Sequence, residues 1–173
     1  MAVATLKLVS ATEADADRIA LLIRTAFRGQ VEELAIQEPE YPNYVGFETP
    51  AKVVRRIRAG DRTTLGFVRD ELVGTVAARL DGANPERGEV LRLAVLPQHR
   101  GSDFGRELMD RAEQELRLLG AAVSEVSIVA QFVGLRSYYE RLGYTVTETR
   151  SIAGLPFQVT YLEKRLQQGG GER

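Results

Sequence analysis

Residues 91–120 hold the types best placed to do chemistry in this chain. An apolar run, Leu91-Arg-Leu-Ala-Val-Leu-Pro97, leads into Gln98-His-Arg-Gly-Ser-Asp-Phe-Gly105, a short loop with two glycines and an arginine. A helical pattern follows directly and closes at Gly120. The start of a helix exposes unpaired backbone N–H groups and a partial positive charge, so this arrangement suits an anion, most naturally phosphate. Arg100 adds a fixed charge suited to a pyrophosphate. A plain tight turn would use the same glycines, and dinucleotide folds use the same device. Those folds place their glycine turn after the first strand, whereas this loop follows several.

Other groups in the chain are also suited to chemistry. The string Tyr138-Tyr-Glu-Arg-Leu-Gly143 puts two phenols on neighbouring faces of a helix, where packing is the alternative use of both rings. Glu32, Glu33 and the segment Glu38-Pro-Glu-Tyr-Pro-Asn-Tyr-Val-Gly-Phe-Glu48 combine carboxylates with Tyr41, Tyr44 and Phe47. Acid for charge and rings for cation–π contact would hold a cation. A proline-rich surface loop anchored by its aromatics would look the same. His99, the single histidine, is read as a surface residue beside Arg100.

Bulk properties remove several classes of function. The chain has 173 residues, no cysteine and a formal net charge of -1. Disulfides, thiolate metal sites and a cysteine nucleophile are excluded, and one histidine cannot build a multi-histidine metal centre. Near-neutral charge gives no footprint for nucleic acid or an anionic membrane. The first residues lack a signal-peptide pattern and no apolar run approaches ~20 residues, so a cytoplasmic protein is expected. The length suits one domain, taken as residues 1–166, with 167–173 as a disordered tail.

These groups need elements to position them. Leu6–Val9 reads as a strand and Thr12–Asp15 as a capping box. The next helix carries Ile19, Leu22, Ile23, Ala26 and Phe27 on one face and is expected to end at Gly29, with Val31–Gln37 able to add a turn or two. Pro50–Ala59 is a second helix. Strands follow at Thr63–Arg69 and Leu72–Leu80 around an Asp70-Glu71 turn, then at Glu89–Leu96, where Arg92 alone breaks an apolar run. The helix opening at Phe104 places Phe104, Leu108, Met109, Ala112, Leu116 and Leu119 on one face. Glu107, Asp110, Arg111, Glu113, Gln114, Glu115 and Arg117 read as its solvated side. Ser124–Val129, Tyr144–Thr149 and Gln158–Leu166 are strands and Val133–Leu142 is a helix. The result is a mixed α/β chain.

Two of these blocks carry a family pattern. Val95-Leu96-Pro97 with Arg100-Gly-Ser-Asp-Phe-Gly105, and later Leu135-Arg-Ser-Tyr-Tyr-Glu-Arg-Leu-Gly-Tyr144, resemble the signature blocks of the GNAT superfamily of acyl-CoA-dependent N-acyltransferases, in the right order and spacing. Two positions depart from it. Asp103 stands at the middle glycine of the loop, where it adds negative charge beside a pyrophosphate, and Phe132 falls at a usual asparagine.

The resemblance implies a mostly antiparallel twisted sheet, splayed between its fourth and fifth strands, with helices on both faces. It implies acetyl-CoA as co-substrate, no metal, an amine acceptor and, often, a homodimer. The pyrophosphate would lie on Arg100, Gly101, Ser102, Asp103, Phe104, Gly105 and Arg106, and the pantetheine arm along the backbone of Leu93, Ala94 and Val95. A backbone N–H near Val95 would polarise the thioester. Tyr139 would act as general acid on the leaving thiolate. Glu89 is the first candidate for the amine's proton, since Ser127 stands where some relatives keep a glutamate. Glu32, Glu33, Tyr41 and Tyr44 would line the acceptor pocket. Two other readings stay open: a non-catalytic acyl-CoA-binding or regulatory protein, and a nucleotide binder.

Overall fold

The computed structural model describes residues 4–167. Its elements run β1 (Leu6–Ser10), α1 (Ala16–Leu34), α2 (Pro50–Arg58), β2 (Arg62–Val68), β3 (Glu71–Leu80), β4 (Arg87–Val95), α3 (Phe104–Leu118), β5 (Val123–Val129), α4 (Val133–Arg141), β6 (Thr145–Ser151) and β7 (Gln158–Arg165). The strands hydrogen-bond in the order β1-β2-β3-β4-β5-β7-β6. The β1–β2, β2–β3, β5–β7 and β6–β7 ladders are antiparallel. β4 and β5 pair in parallel, with Arg87, Gly88 and Glu89 opposite Val123, Ser124 and Glu125. This is the expected mixed, mostly antiparallel sheet. The expected tail, from residue 168 onward, lies outside the described residues.

The chain divides into two compact units, residues up to 78 with 92–112, and residues 79–91 with those from 113. In the first unit, Ala16, Ile19, Ala20, Leu22, Ile23 and Ala26 of α1 form a core with Val53 of α2, Leu65 of β2 and Ala94 of β4. The helical period of these positions sets which face of α1 is buried. The Thr12–Asp15 capping box is present, with the Thr12 N–H donating to Asp15 at 2.8 Å. α1 does not end at Gly29 but continues to Leu34 and stops where Ala35 turns left-handed at φ 51°. A mid-helix glycine costs about 1 kcal/mol. Here the packing of Val31 under Gly46 carries the helix through it. The β2–β3 turn residues are Arg69 and Asp70, not Asp70 and Glu71, since Glu71 already pairs with Val68. Arg69 takes the positive φ of 55° that the turn demands.

In the second unit, Leu116 of α3 and Leu162 of β7 are fully buried, joined by Val126, Ile128, Tyr139 and Tyr144. Gly88 lies against this core, where an added Cβ would fall 2.4 Å from a Leu116 methyl and 3.1 Å from the Arg79 carbonyl oxygen. A backbone oxygen on one side leaves the strand little room to give. Gly88→Ala is therefore expected to cost about 1–3 kcal/mol. A denaturant midpoint unchanged from wild type would show that the sheet absorbs the methyl.

Candidate active site

The loop that the sequence offers for an anion lies in the first unit. Pro97–His99 form a single 3-10 turn, closed by the Arg100 N–H to Pro97 O at 3.3 Å. Gly101 then turns left-handed at φ 83° and Asp103 at φ 62°, and α3 begins at Phe104. Two positive-φ residues in three turn the backbone of Gly101–Asp103 into the helix start, a conformation in which successive N–H groups can form an anion-binding concavity. The conformation also explains the residue at 103. The position requires the left-handed region, which glycine enters freely and aspartate more readily than most residues. Its side chain is exposed, and its carbonyl accepts the Glu107 N–H at 3.1 Å to start the helix ladder.

Phe104, Leu108, Met109 and Ala112 fix α3 beneath the loop, all buried as expected. Ser102 and Arg106 are exposed and Gly105 is half-buried. The Arg100 guanidinium donates to Val95 O at 3.2 Å and to Ala26 O at 2.7 Å, tying the loop to the end of β4 and the middle of α1. His99 is half-buried, its ring 6.3 Å from that of Phe104 and its Nε2 3.4 Å from Glu71.

The acidic-aromatic segment is partly exposed. Glu32 and Glu33 face solvent on the last turns of α1, and Tyr41 and Tyr44 are half-buried. The Tyr44 hydroxyl donates to Gln30 at 2.8 Å, and its ring meets Phe47 edge-on at 6.2 Å. Burial pushes the Tyr44 phenol up to about 12.

The residue that ends this segment is the surprise. Glu48 is only 1% exposed. Its Oε2 accepts Arg92 Nε at 2.7 Å and pairs with Arg56 Nη2 at 2.7 Å, while its Oε1 accepts Arg56 Nη1 at 3.1 Å and the Thr49 N–H at 3.2 Å. Arg56 also reaches Asp61 at 3.6 Å, and Arg24 donates to the Glu48 carbonyl at 3.1 Å. Burial would raise the Glu48 carboxyl. The hydrogen bond from Arg56 and the charges of Arg56 and Arg92 outweigh that and hold it below the usual carboxylate range. Of this cluster only Glu48 was singled out from the sequence, as the last carboxylate of a segment expected to face a cationic acceptor, and here it is buried on two arginines instead. The signal available was Arg92 itself, a lone charge inside an apolar strand, which must find a partner.

In the second unit, Tyr139 is buried in α4. Its ring stands edge-on to Tyr138 at 5.3 Å and to Tyr144 at 5.8 Å. Burial, and then Tyr138, raise its phenol well above the ordinary value. The Glu89 carboxylate is held by Arg79 at 2.7 and 2.8 Å. Beside it in the ladder, Glu125 shares Arg87 with Glu163, at 3.3 and 2.8 Å. Burial raises the Glu125 carboxyl, Arg87 lowers it, and Glu89 and Glu163 push it up again, for a net rise.

One expectation on α3 is corrected. Glu113, read as part of the solvated side, is 3% exposed. It accepts the Tyr144 hydroxyl at 3.0 Å and Lys164 at 3.0 and 3.1 Å. Tyr144 completes the group through Ser124 at 2.8 Å. A basic partner delivered by β7 makes burial of this carboxylate tolerable.

Known proteins share both the sequence pattern and the fold. The chain is 31% identical over 107 residues to the mycothiol acetyltransferase of Beutenbergia cavernae, covering 58% of this chain and 36% of that protein. It is 36% identical over 63 residues to the aminoalkylphosphonate N-acetyltransferase of Salmonella typhimurium, covering 36% of this chain and 41% of that one. The chain spans less than half the length of either relative. The solved structure of the PaiA N-acetyltransferase of Thermoplasma acidophilum in complex with coenzyme A superposes with TM-score 0.76 at 15% identity, over 93% of this chain and 99% of that one. The ribosomal-protein-S18-alanine N-acetyltransferase of Escherichia coli superposes with TM-score 0.73 at 12% identity, over 98% and 99%. At these identities the likeness is one of fold. Residues 23–144 match the acetyltransferase (GNAT) family, and the chain belongs to it.

Proposed function

We propose that this protein is an N-acetyltransferase that moves an acetyl group from acetyl-CoA to the primary amine of a cationic small molecule. The observation that carries the reading is the pair of left-handed residues, Gly101 and Asp103, opening α3 in a chain of this family. That loop fits a pyrophosphate, held by main-chain N–H groups of Gly101–Gly105 at the helix start, with Arg100 and Arg106 supplying charge. Leu93, Ala94 and Val95 pair with the pantetheine arm by their main chain, and an N–H near Val95 polarises the thioester carbonyl.

The chemistry is a direct displacement. The amine nitrogen bonds to the acetyl carbon, the carbon–sulfur bond breaks, the amine's proton passes to Glu89, and the departing thiolate takes the phenol proton of Tyr139. Burial keeps the Tyr139 phenol above its ordinary value, so it holds its proton until the thiolate forms. Glu32, Glu33, Tyr41 and Tyr44 line the acceptor's approach, with carboxylates for its charge and rings for its cationic face. The two curated relatives, an acetyltransferase of mycothiol and one of aminoalkylphosphonates, support small-molecule acceptors.

Calorimetric titration with coenzyme A tests the loop directly. Wild type is expected to bind and, at about a hundred times the dissociation constant, to gain roughly 2.7 kcal/mol of stability. Asp103→Gly removes a carboxylate facing water near the pyrophosphate. Two charges in water at ~4 Å interact by about 1 kcal/mol, so the variant is expected to bind up to about fivefold tighter. Binding by Asp103→Gly alone would leave the fold reading standing and replace the enzyme with a weakened relative. Binding by neither would end the proposal.

A further inference from the structure

β4 contains a non-glycine residue in a conformation that strands do not use. Arg92 stands at φ 54°, one residue before Leu93–Val95. A long L side chain in the left-handed region is strained, and such strain persists only where the surroundings over-determine it. The surroundings here are specific. The Arg92 Nε donates to Glu48 Oε2 at 2.7 Å. Glu48 is itself fixed to α2 by both nitrogens of the Arg56 fork and by the Thr49 N–H. Arg92 is thereby tied to α2, through a carboxylate with almost no contact with water.

Two residues further on, Ala94 packs in the cluster of α1 and α2. A single residue out of the extended region re-aims everything after it, as bulges beside functional sites do. The groups re-aimed are the main-chain N–H and C=O of Leu93, Ala94 and Val95.

We propose that Glu48 and Arg92 are positioning residues for acyl transfer: their buried ion pair holds the left-handed kink that sets the direction of the coenzyme-binding main chain of β4. The inference rests on the acetyltransferase reading above and deepens it. It assigns a task to a buried charge cluster that the direct displacement does not otherwise use. Arg56 and Asp61 then act as the frame that keeps Glu48 in place.

Glycine separates the backbone contribution from the side chain, because it adopts positive φ without strain. Arg92→Ala loses the ion pair and keeps the strain, so it is expected to bind coenzyme A about tenfold more weakly, the size such a conformational cost converts to. Arg92→Gly loses the same ion pair and is expected to recover most of the affinity. Glu48→Gln should raise KM for acetyl-CoA, leave KM for the amine unchanged, and add nothing in the Arg92→Gly background. Affinities are read by calorimetry on protein whose thermal melt shows it folded. If Glu48→Gln does not fold, the Ala and Gly variants at 92 decide the matter alone. Arg92→Ala binding like wild type, or Arg92→Gly binding as weakly as Arg92→Ala, overturns the proposal. If wild type binds coenzyme A and the series is flat, this inference alone falls. If wild type does not bind, the acetyltransferase reading falls with it.

Discussion

Tyr139→Phe is expected to lower kcat by 10²-fold or more while KM for acetyl-CoA stays near its wild-type value. General acid catalysis contributes about 10²–10⁴-fold, and the substitution removes the proton donor alone. The ring that packs edge-on against Tyr138 and Tyr144 remains, so the fold around α4 is kept. Loss in kcat with KM unchanged is the pattern of an interaction made only in the transition state. The pH profile supplies an independent check. Burial raises the Tyr139 phenol above its ordinary value, so its deprotonation lies above the range in which the enzyme would be assayed. An alkaline fall in wild-type kcat would therefore belong to another group and should persist in the Phe variant. Thiol release from acetyl-CoA, followed with an accepting amine, measures both. A kcat within about threefold of wild type would assign Tyr139 to packing and leave the thiolate to be protonated by solvent.

What the sequence disclosed, and what it withheld, divides by the range of the interaction. The loop and α3 were legible because their determinants are local: helical spacing from Phe104, glycine at the turn, the stop at Gly120. The residue at 103 looked like a departure from the family pattern. Its φ of 62° shows aspartate doing the conformational work of a glycine, which no pattern of residue types displays. Gly29 misled in the opposite sense, since a helix end inferred from one glycine lost to the packing of Val31. The pairings of the charged interior were not legible. Arg92 finds Glu48 44 residues away, and Glu113 finds Lys164 51 residues away. A carboxylate on the polar side of a helix looks solvated until a strand far along the chain delivers its partner. Only the lone charge in an apolar strand hinted at such pairing, and it could not name the partner.

Glu113→Ala carries the largest expected loss of stability. Removing one member of a buried ion pair strands the other, typically at 3–5 kcal/mol. Lys164 retains 27% exposure of its side chain and can reach some water, which places the loss near the lower end, about 3 kcal/mol. In a chain of this size that lowers Tm by roughly 10 °C. The Tyr144 hydroxyl, which donates to Glu113 and meets Ser124, loses its acceptor in the same step. If the loss comes from the stranded charge, removing that charge as well should restore stability. Replacing both members by apolar residues of similar size is often neutral. Glu113→Leu combined with Lys164→Met is thus expected to be more stable than Glu113→Leu alone. Equal losses for the single and the double variant would instead put the value of Glu113 in its bond to Tyr144. Thermal melts of the set separate the two. Because the Tyr144 ring meets Tyr139 edge-on at 5.8 Å, the variants that free Tyr144 should also lose kcat beyond what their folded fraction explains. That would tie a stability network buried behind α4 to the aim of its proposed acid.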